Sequence, residues 1–495
     1  VYNKEQEEKA MYDDFKREAG RPVYLQLKEY LKKQILSGML QAGERLPSTR
    51  ELAAAYGLSR NTVIQAYQDL EEEGFITTAP GQGSFVSAVA IKYQATLELP
   101  WERRLTPYAK AAVDLDIEKS ELKWERGMIS FKSIAPDGDL FPTEDFKRAF
   151  LDRFATEGSK ILNYGYAQGY RPLLEYLTNY LKNKGVDPEG KEILVTNGFT
   201  EGLNLVLTGI CAPGDGIVTE NPTHNTALKI FKLHRLRICG IPMDAEGLNL
   251  GNLEETLATQ SVKAGFLIPS YHNPTGLVMT PKKRRAVLEI FTHYQVPIIE
   301  DGFNEELRYT GAHIAPLLAL AGQGNNVVYI GSFSKILFPG LRLGWVMADR
   351  KLIAALESIK RSVNIHTSFL DQALLFEYLQ NGSFEKYLRR ARKVYRDRHE
   401  AALRLATALI PHRQIWGEGG LHIFVELQCG LNARQVLAAC YRQGVLFMPG
   451  DLFYTDGGGT NTLRLGIGRV TEEEMAKGFK IIGEVICALE EEKNA

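Results

Sequence analysis

The stretch Ser332-Phe333-Ser334-Lys335-Ile336-Leu337-Phe338-Pro339-Gly340-Leu341-Arg342-Leu343-Gly344 joins one amine to two hydroxyls and, seven residues on, to a guanidinium. A lysine just past an apolar strand is placed to form a Schiff base with an aldehyde. Ser332, Ser334 and the planar fork of Arg342 suit a phosphate carried by the same molecule. Taken in isolation, an S-x-S-K sequence reads more readily as a surface lysine in a loop.

Other residues bear on that choice. Glu300-Asp301 closes an apolar run, and a carboxylate at a strand end can pair with a ring nitrogen; the bland reading is a helix cap or a surface charge. Asn273-Pro274-Thr275-Gly276 also follows a strand. The Asn273 amide could donate to a phenolic oxygen, or the segment is a plain turn. Asn197-Gly198-Phe199-Thr200-Glu201 opens a helix, where free N–H groups of Gly198, Phe199 and Thr200 make an anion site. Arg464 could clamp a carboxylate with two parallel hydrogen bonds, or make a surface salt bridge worth little.

The elements that must position these groups are readable from apolar runs. Ile193–Thr196, Gly265–Ile268, Pro297–Glu300 and Val327–Ile330 are short, apolar and bounded by turn residues. Alternating with helical stretches, they predict an α/β domain with a mostly parallel sheet and helices on both faces. With five ordered motifs, residues from about 129 to 490 resemble the fold-type I, class I aminotransferases. The resemblance implies pyridoxal 5'-phosphate as cofactor and a smaller C-terminal α+β subdomain. It implies a Schiff base at Lys335, Asp301 on the ring nitrogen and Asn273 on the phenolic oxygen. Gly198, Phe199, Thr200, Ser332, Ser334 and Arg342 would hold the phosphate, and Arg464 the α-carboxylate of an amino acid. Tyr164, in Tyr164-Gly165-Tyr166-Ala167-Gln168-Gly169, matches the tyrosine that reaches the phosphate from a partner subunit. Two positions depart from the pattern. Phe303 stands where a tyrosine usually bonds the phenolic oxygen, and His224 stands where an aromatic ring usually stacks on the cofactor.

The N-terminal part reads differently. Tyr24, Leu27, Leu31 and Ile35 fall on one helical face, with Gly38 as a stop. Ser48-Thr49-Arg50-Glu51 is a capping box, Gly57 ends the short helix it opens, and Ser59 caps a second helix from Arg60 to about Glu72. Two short runs around Pro80-Gly81-Gln82-Gly83 predict a hairpin. Residues 21–88 resemble the GntR family of winged helix-turn-helix regulators. That resemblance places Ser48, Thr49, Arg50, Arg60, Asn61 and Thr62 at the duplex, with Gly81, Gln82 and Gly83 as the wing tip. The unit is not basic, with seven Lys/Arg and seven Asp/Glu, and Glu71-Glu72-Glu73 is expected to face away from DNA.

Composition sets the outer limits. The chain has 495 residues, 44% hydrophobic and 24% charged, with a net charge of −1. That predicts two or three globular domains: 21–88, a linker over 89–124 carrying at most a short helix, and 125–495. No global basic field points to nucleic acid, so DNA binding must come from a local patch. Cys211, Cys239, Cys429, Cys440 and Cys487 form no CxxC pair, so reduced thiols in a cytoplasm and no metal site are expected. The charged stretch from Lys4 to Lys9 does not read as a signal peptide. No apolar run approaches membrane-spanning length. Across nearly its whole length the chain resembles the MocR (GabR-type) regulators. The implied picture is a head-to-tail homodimer on double-stranded DNA. Its large domain senses the cofactor, an amino acid or an amine. A working aminotransferase with an accessory DNA-binding module is the rival expectation.

Overall fold

The computed structural model describes residues 15, 17–88, 98–116, 121–302, 304–428 and 430–494, and the chain divides into two units, Val1–Arg104 and Leu105–Ala495. The expectations placed on Lys4–Lys9, Phe303 and Cys429 fall outside the described residues.

In the first unit, α1 (Val23–Ser37), α2 (Thr49–Tyr56) and α3 (Arg60–Glu72) precede a hairpin of β1 (Ile76–Ala79) and β2 (Gly83–Val86). The caps explain the boundaries. Ser48 accepts from Glu51 N–H and Glu51 accepts from Ser48 N–H at 2.8 Å, so both halves of the capping box form. Ser59 accepts from Thr62 N–H at 3.1 Å. Gly57, at φ 59°, makes the left-handed turn between the two helices, a conformation costly for a residue with Cβ. Leu27, Leu31, Ile35, Leu52, Val63, Ala66, Leu70 and Ile76 form the core. Tyr24, expected on the buried face of α1, is only half-buried. Gln26 takes that place, because its amide donates to the carbonyls of Arg21 and Glu18 at 2.8 and 3.0 Å.

Two of the three acidic residues at the end of α3 have structural work. Glu73 pairs with Lys28 and Lys32 of α1 at 2.9 and 2.5 Å, and Glu71 accepts from Thr78 N–H in the wing.

The second unit begins with a short helix, α4 (Pro107–Asp114), capped by Thr106. Its centre is an eight-stranded sheet. The strands are β3 (Lys191–Thr196), β4 (Gly216–Asn221), β5 (Arg237–Asp244), β6 (Gly247–Leu248), β7 (Val262–Leu267), β8 (Ile298–Asp301), β9 (Val327–Ser332) and β10 (Gly344–Asp349). The order is β3-β10-β9-β8-β7-β4-β5-β6, and of these eight strands β10 and β6 run opposite to the other six. Alternate residues feed two cores. Val327 and Tyr329 pack on one face, and Val328 and Ile330 on the other. Burial on both faces is why these strands read as continuous apolar runs.

A four-stranded antiparallel sheet forms the smaller subdomain: β11 (Gln414–Trp416), β12 (His422–Glu426), β13 (Met448–Pro449) and β14 (Thr462–Gly466), in the order β11-β12-β14-β13. It packs through Ile423, Val425, Leu463 and Leu465.

The described residues of the stretch read as a linker, 98–116 and 121–124, carry short helices at Trp101–Arg104 and Pro107–Asp114. Beyond Leu105 it belongs to the large unit, where Asp116 lies 3.8 Å from Lys229 and Glu121 3.0 Å from Arg434. Both partners are distant in sequence, so local periodicity does not register them.

Candidate functional site

The carboxyl ends of the parallel strands converge, as ligand sites in open α/β sheets do. β3 leads through Asn197 into α5 (Phe199–Ile210), β4 into His224, β7 into Asn273, β8 ends at Asp301, and β9 ends at Ser332. Two adjoining cavities share Lys335 and His224. The inner one is lined by Phe199, Thr200, Asp301, Ser332, Ser334 and Arg342. The outer one reaches Asn273, Arg464, Lys132 and Met448.

The adjacent carboxylates Glu300 and Asp301 separate cleanly. Glu300 accepts from the N–H groups of Leu317 and Leu318 at 2.7 and 2.9 Å, so it is a helix cap. Asp301 faces the cavity. Burial pushes its carboxyl well above the usual range, helped by Glu305, Glu220 and Glu300. Its near neighbour is His224 Nδ1, 3.9 Å from Oδ2. Burial, then Arg464, Lys335 and His272, lower His224 to about 3, so it brings no charge at neutral pH. Among the described residues no lysine or arginine pairs with Asp301, and a cationic ring nitrogen would supply the missing countercharge.

Lys335 is half-buried. Loss of water, with Arg464, Arg469 and Arg342 nearby, lowers its amine to about 8. A free amine is therefore accessible near neutrality, as a nucleophile for an aldehyde requires.

The phosphate end is preformed. No side chain caps α5, so its first N–H groups stay open. Gly198, at φ 81°, lies so near Arg342 that a Cβ would stand 3.1 Å from Nη2. Arg342 Nη2 donates to Asn197 O at 3.1 Å, and Ser332 Oγ donates to Ser334 Oγ at 3.1 Å.

Arg464 is 5% exposed, on β14, which excludes the surface salt bridge that its sequence allowed. It donates to Asn273 Oδ1 at 2.9 Å and Lys132 O at 3.1 Å, and its guanidinium lies 4.9 Å from the Phe453 ring centroid. With Oδ1 so engaged, Asn273 Nδ2 is a buried donor without a partner. An orphaned donor at the cavity wall fits a ligand oxygen.

The remaining expected positions are accounted for as follows. His224 opens α6 (Asn225–Leu233) and lies 5.3 Å from the Phe199 ring, centroid to centroid. Tyr164 is 81% exposed and lines neither cavity of its own chain. Sequence reasoning missed the outer wall made by Asp116, Lys123 and Trp124, and it missed Asn304 in the inner cavity. The position of Asn304 three residues past Asp301 was the available signal.

In the first unit Arg50, Arg60 and Asn61 are exposed around the N-terminus of α3, and Gly81 and Gln82 are exposed at the hairpin tip. Arg60 Nε donates to Thr49 Oγ1 at 3.4 Å, so the starts of α2 and α3 stand together. Ser48 and Ser59 are engaged as caps.

Among the described residues no cluster of three or more His, Cys, Asp or Glu could hold a metal, and no helix is long and apolar enough to cross a membrane. Cys211, Cys239, Cys440 and Cys487 are unbridged.

Comparison with known proteins matches residues 126–482 to the family described as aminotransferase class I and II, and residues 23–86 to bacterial regulatory proteins of the gntR family. An uncharacterized HTH-type transcriptional regulator, YdcR of Escherichia coli, is 31% identical over 94% of this chain and 98% of its own. Aromatic-amino-acid aminotransferase 1 of Thermococcus litoralis is 32% identical over 72% of this chain and 88% of its own. Among solved structures, the α-aminoadipate aminotransferase LysN of Thermus thermophilus, complexed with N-(5'-phosphopyridoxyl)-L-leucine, superposes with a TM-score of 0.72. It is 31% identical and covers 79% of this chain and 99% of that one.

Proposed function

Because the chain belongs to the class I and II aminotransferase family over residues 126–482 and carries a GntR-family unit at 23–86, we propose that it is a DNA-binding transcription regulator that senses pyridoxal phosphate, an amino acid or an amine through Lys335. One observation carries the reading. The chain that presents Arg50, Arg60 and Asn61 at the starts of two capped helices also holds, at one site, a softened amine, a buried carboxyl with no lysine or arginine partner among the described residues, and an orphaned amide.

The residues divide the work by chemistry. Lys335 would be the covalent anchor. Open N–H groups at Gly198, Phe199 and Thr200, with Ser332, Ser334 and Arg342, would hold the phosphate. Asp301 would hold the ring nitrogen and Asn273 the ring oxygen, with His224 as the candidate ring partner. Pyridoxal phosphate, when bound, supplies an aldehyde that condenses with primary amines and a ring that withdraws electrons. Arg464, desolvated and steadied by Asn273, binds the carboxylate of an amino acid. In the head, Arg60, Asn61 and Thr62 enter the major groove and Arg50 contacts the duplex beside them. Ser48 and Thr49 at the start of α2 meet the backbone. Gly81, Gln82 and Gly83 approach the minor groove.

The working unit is a head-to-tail homodimer in the cytoplasm. Exposed apolar side chains at Phe150, Leu151, Phe154, Leu162 and Tyr166 around Tyr164 support a second copy there, which brings Tyr164 to the neighbouring phosphate. The domains are 21–88, a connecting stretch over 89–124, and 125–495. Asp116, Lys123 and Trp124 of that stretch wall the cavity that holds Arg464, which supports a route from ligand to head.

The transaminase names among the relatives favour a second reading, a turning-over enzyme. Reconstitution tests the assignment. The holoprotein should show a visible absorbance band and, after borohydride, a stable adduct on the Lys335 peptide. With an amino acid and a keto-acid acceptor, one spectral change that then stops supports the sensor. Sustained product formation over many turnovers contradicts it.

A further inference from the structure

Asn304 is a second buried carboxamide, in the inner cavity that adjoins the outer one reached by Asn273, and no expected role uses it. It lines the inner cavity with Asp301, Ser332 and Lys335 and is 2% exposed. Neither its Nδ2 nor its Oδ1 has a hydrogen-bond partner. Its backbone sits at φ 56°, a left-handed conformation that Asn tolerates better than most side chains. The carboxamide packs against the loop before β12, where a Cβ added to Gly420 would lie 3.1 Å from Nδ2. An amide with both ends unsatisfied is costly to bury. It persists readily where a ligand completes it.

The chemistry of the cofactor narrows the choice. Its aldehyde, phosphate and ring nitrogen are assigned to Lys335, to the Ser332–Arg342 cradle with α5, and to Asp301. The ring oxygen is left with Asn273 alone, since Phe303 offers no hydroxyl. We propose that Asn304 is a positioning residue for that oxygen, acting with Asn273. A carboxamide carries its donor and its acceptor on separate atoms, Nδ2 and Oδ1. Nδ2 suits the deprotonated ring oxygen and Oδ1 suits the protonated one, so Asn304 can stabilise either form. The inference rests on the cofactor reading above.

The test compares wild type with Asn304→Asp, which keeps shape and backbone preference but loses the donor, and Asn304→Gly, which removes the side chain without straining the left-handed backbone. Pyridoxal phosphate is titrated into each full-length apoprotein, with absorbance followed against pH. Both variants should bind about tenfold more weakly, the worth of one hydrogen bond to a charged group. The pH midpoint of the absorbance change should move in both. The melting point of the Asn304→Gly apoprotein should fall no more than about 2 °C below wild type, because the apo side chain makes no hydrogen bond to lose. A structural role would instead lower the apo melting point and leave the pH midpoint unmoved. Unchanged affinity and midpoint in both variants would overturn the role of Asn304 alone. A wild-type protein that shows no band at all would overturn the cofactor assignment and this inference with it.

Discussion

Lys335 makes the most direct quantitative statement at the level of single residues. Its amine is drawn down from 10.5 to about 8, chiefly by loss of water and then by the cations Arg464, Arg469 and Arg342. The reactive form is the neutral amine, so capture of pyridoxal phosphate should speed up as pH rises through about 8 and level off above it. Stopped-flow absorbance against pH checks this, and a midpoint near 10.5 would contradict it. At Arg464, removing a buried guanidinium removes the carboxylate clamp. Arg464→Ala should weaken the response to an amino acid by about 10- to 100-fold, as loss of a charge-assisted pair implies, while leaving its response to the corresponding amine unchanged. Comparing amino-acid and decarboxylated-amine titrations checks that split.

Much at this scale was legible because residue type and position at a strand end already restrict the chemistry. Residue type alone did not separate adjacent Glu300 and Asp301, and only the family resemblance singled out Asp301; the alternation of strand faces decides which one caps a helix and which enters the cavity. Asn304 escaped notice because an asparagine in a loop reads as a turn until both ends of its amide prove unpaired.

At the scale of elements, the head was readable nearly residue by residue. Capping boxes, glycine stops and hairpin turns act over three or four positions, and α2 and α3 depend on them. The connecting stretch was not readable in the same way. α4 is only eight residues long, and the segment after it is held by Lys229 and Arg434, more than a hundred residues away in sequence. If this stretch carries the signal, Trp124→Ala should leave cofactor binding and basal DNA affinity intact. It should reduce the ligand-induced change in DNA affinity at least twofold, consistent with typical couplings of about 1–3 kcal/mol. Fluorescence anisotropy on operator DNA, with and without ligand, reads both quantities, and an undiminished ligand effect would exclude the stretch as the route.

Across the whole molecule, a net charge of −1 supplies no general attraction to a duplex, so affinity must come from a few contacts around α3 and the wing. Two such heads in a dimer would raise affinity through effective concentration, and a ligand acts on them only through differential affinity for two arrangements. Two architectures in one chain were apparent from ordered motifs in each half. The joining segment's engagement with the large unit was not, because it depends on tertiary ion pairs. The central claim is that aldehyde capture at Lys335 is felt at the DNA. Binding of the DNA just upstream of the gene should therefore be titrated with and without pyridoxal phosphate, using wild type, Lys335→Ala and Arg60→Ala. Wild type should change its affinity about fivefold or more, the lower range of allosteric couplings. Lys335→Ala should bind DNA without responding, and Arg60→Ala should lose affinity while keeping the cofactor band. A Lys335→Ala protein that responds as fully as wild type would contradict the account.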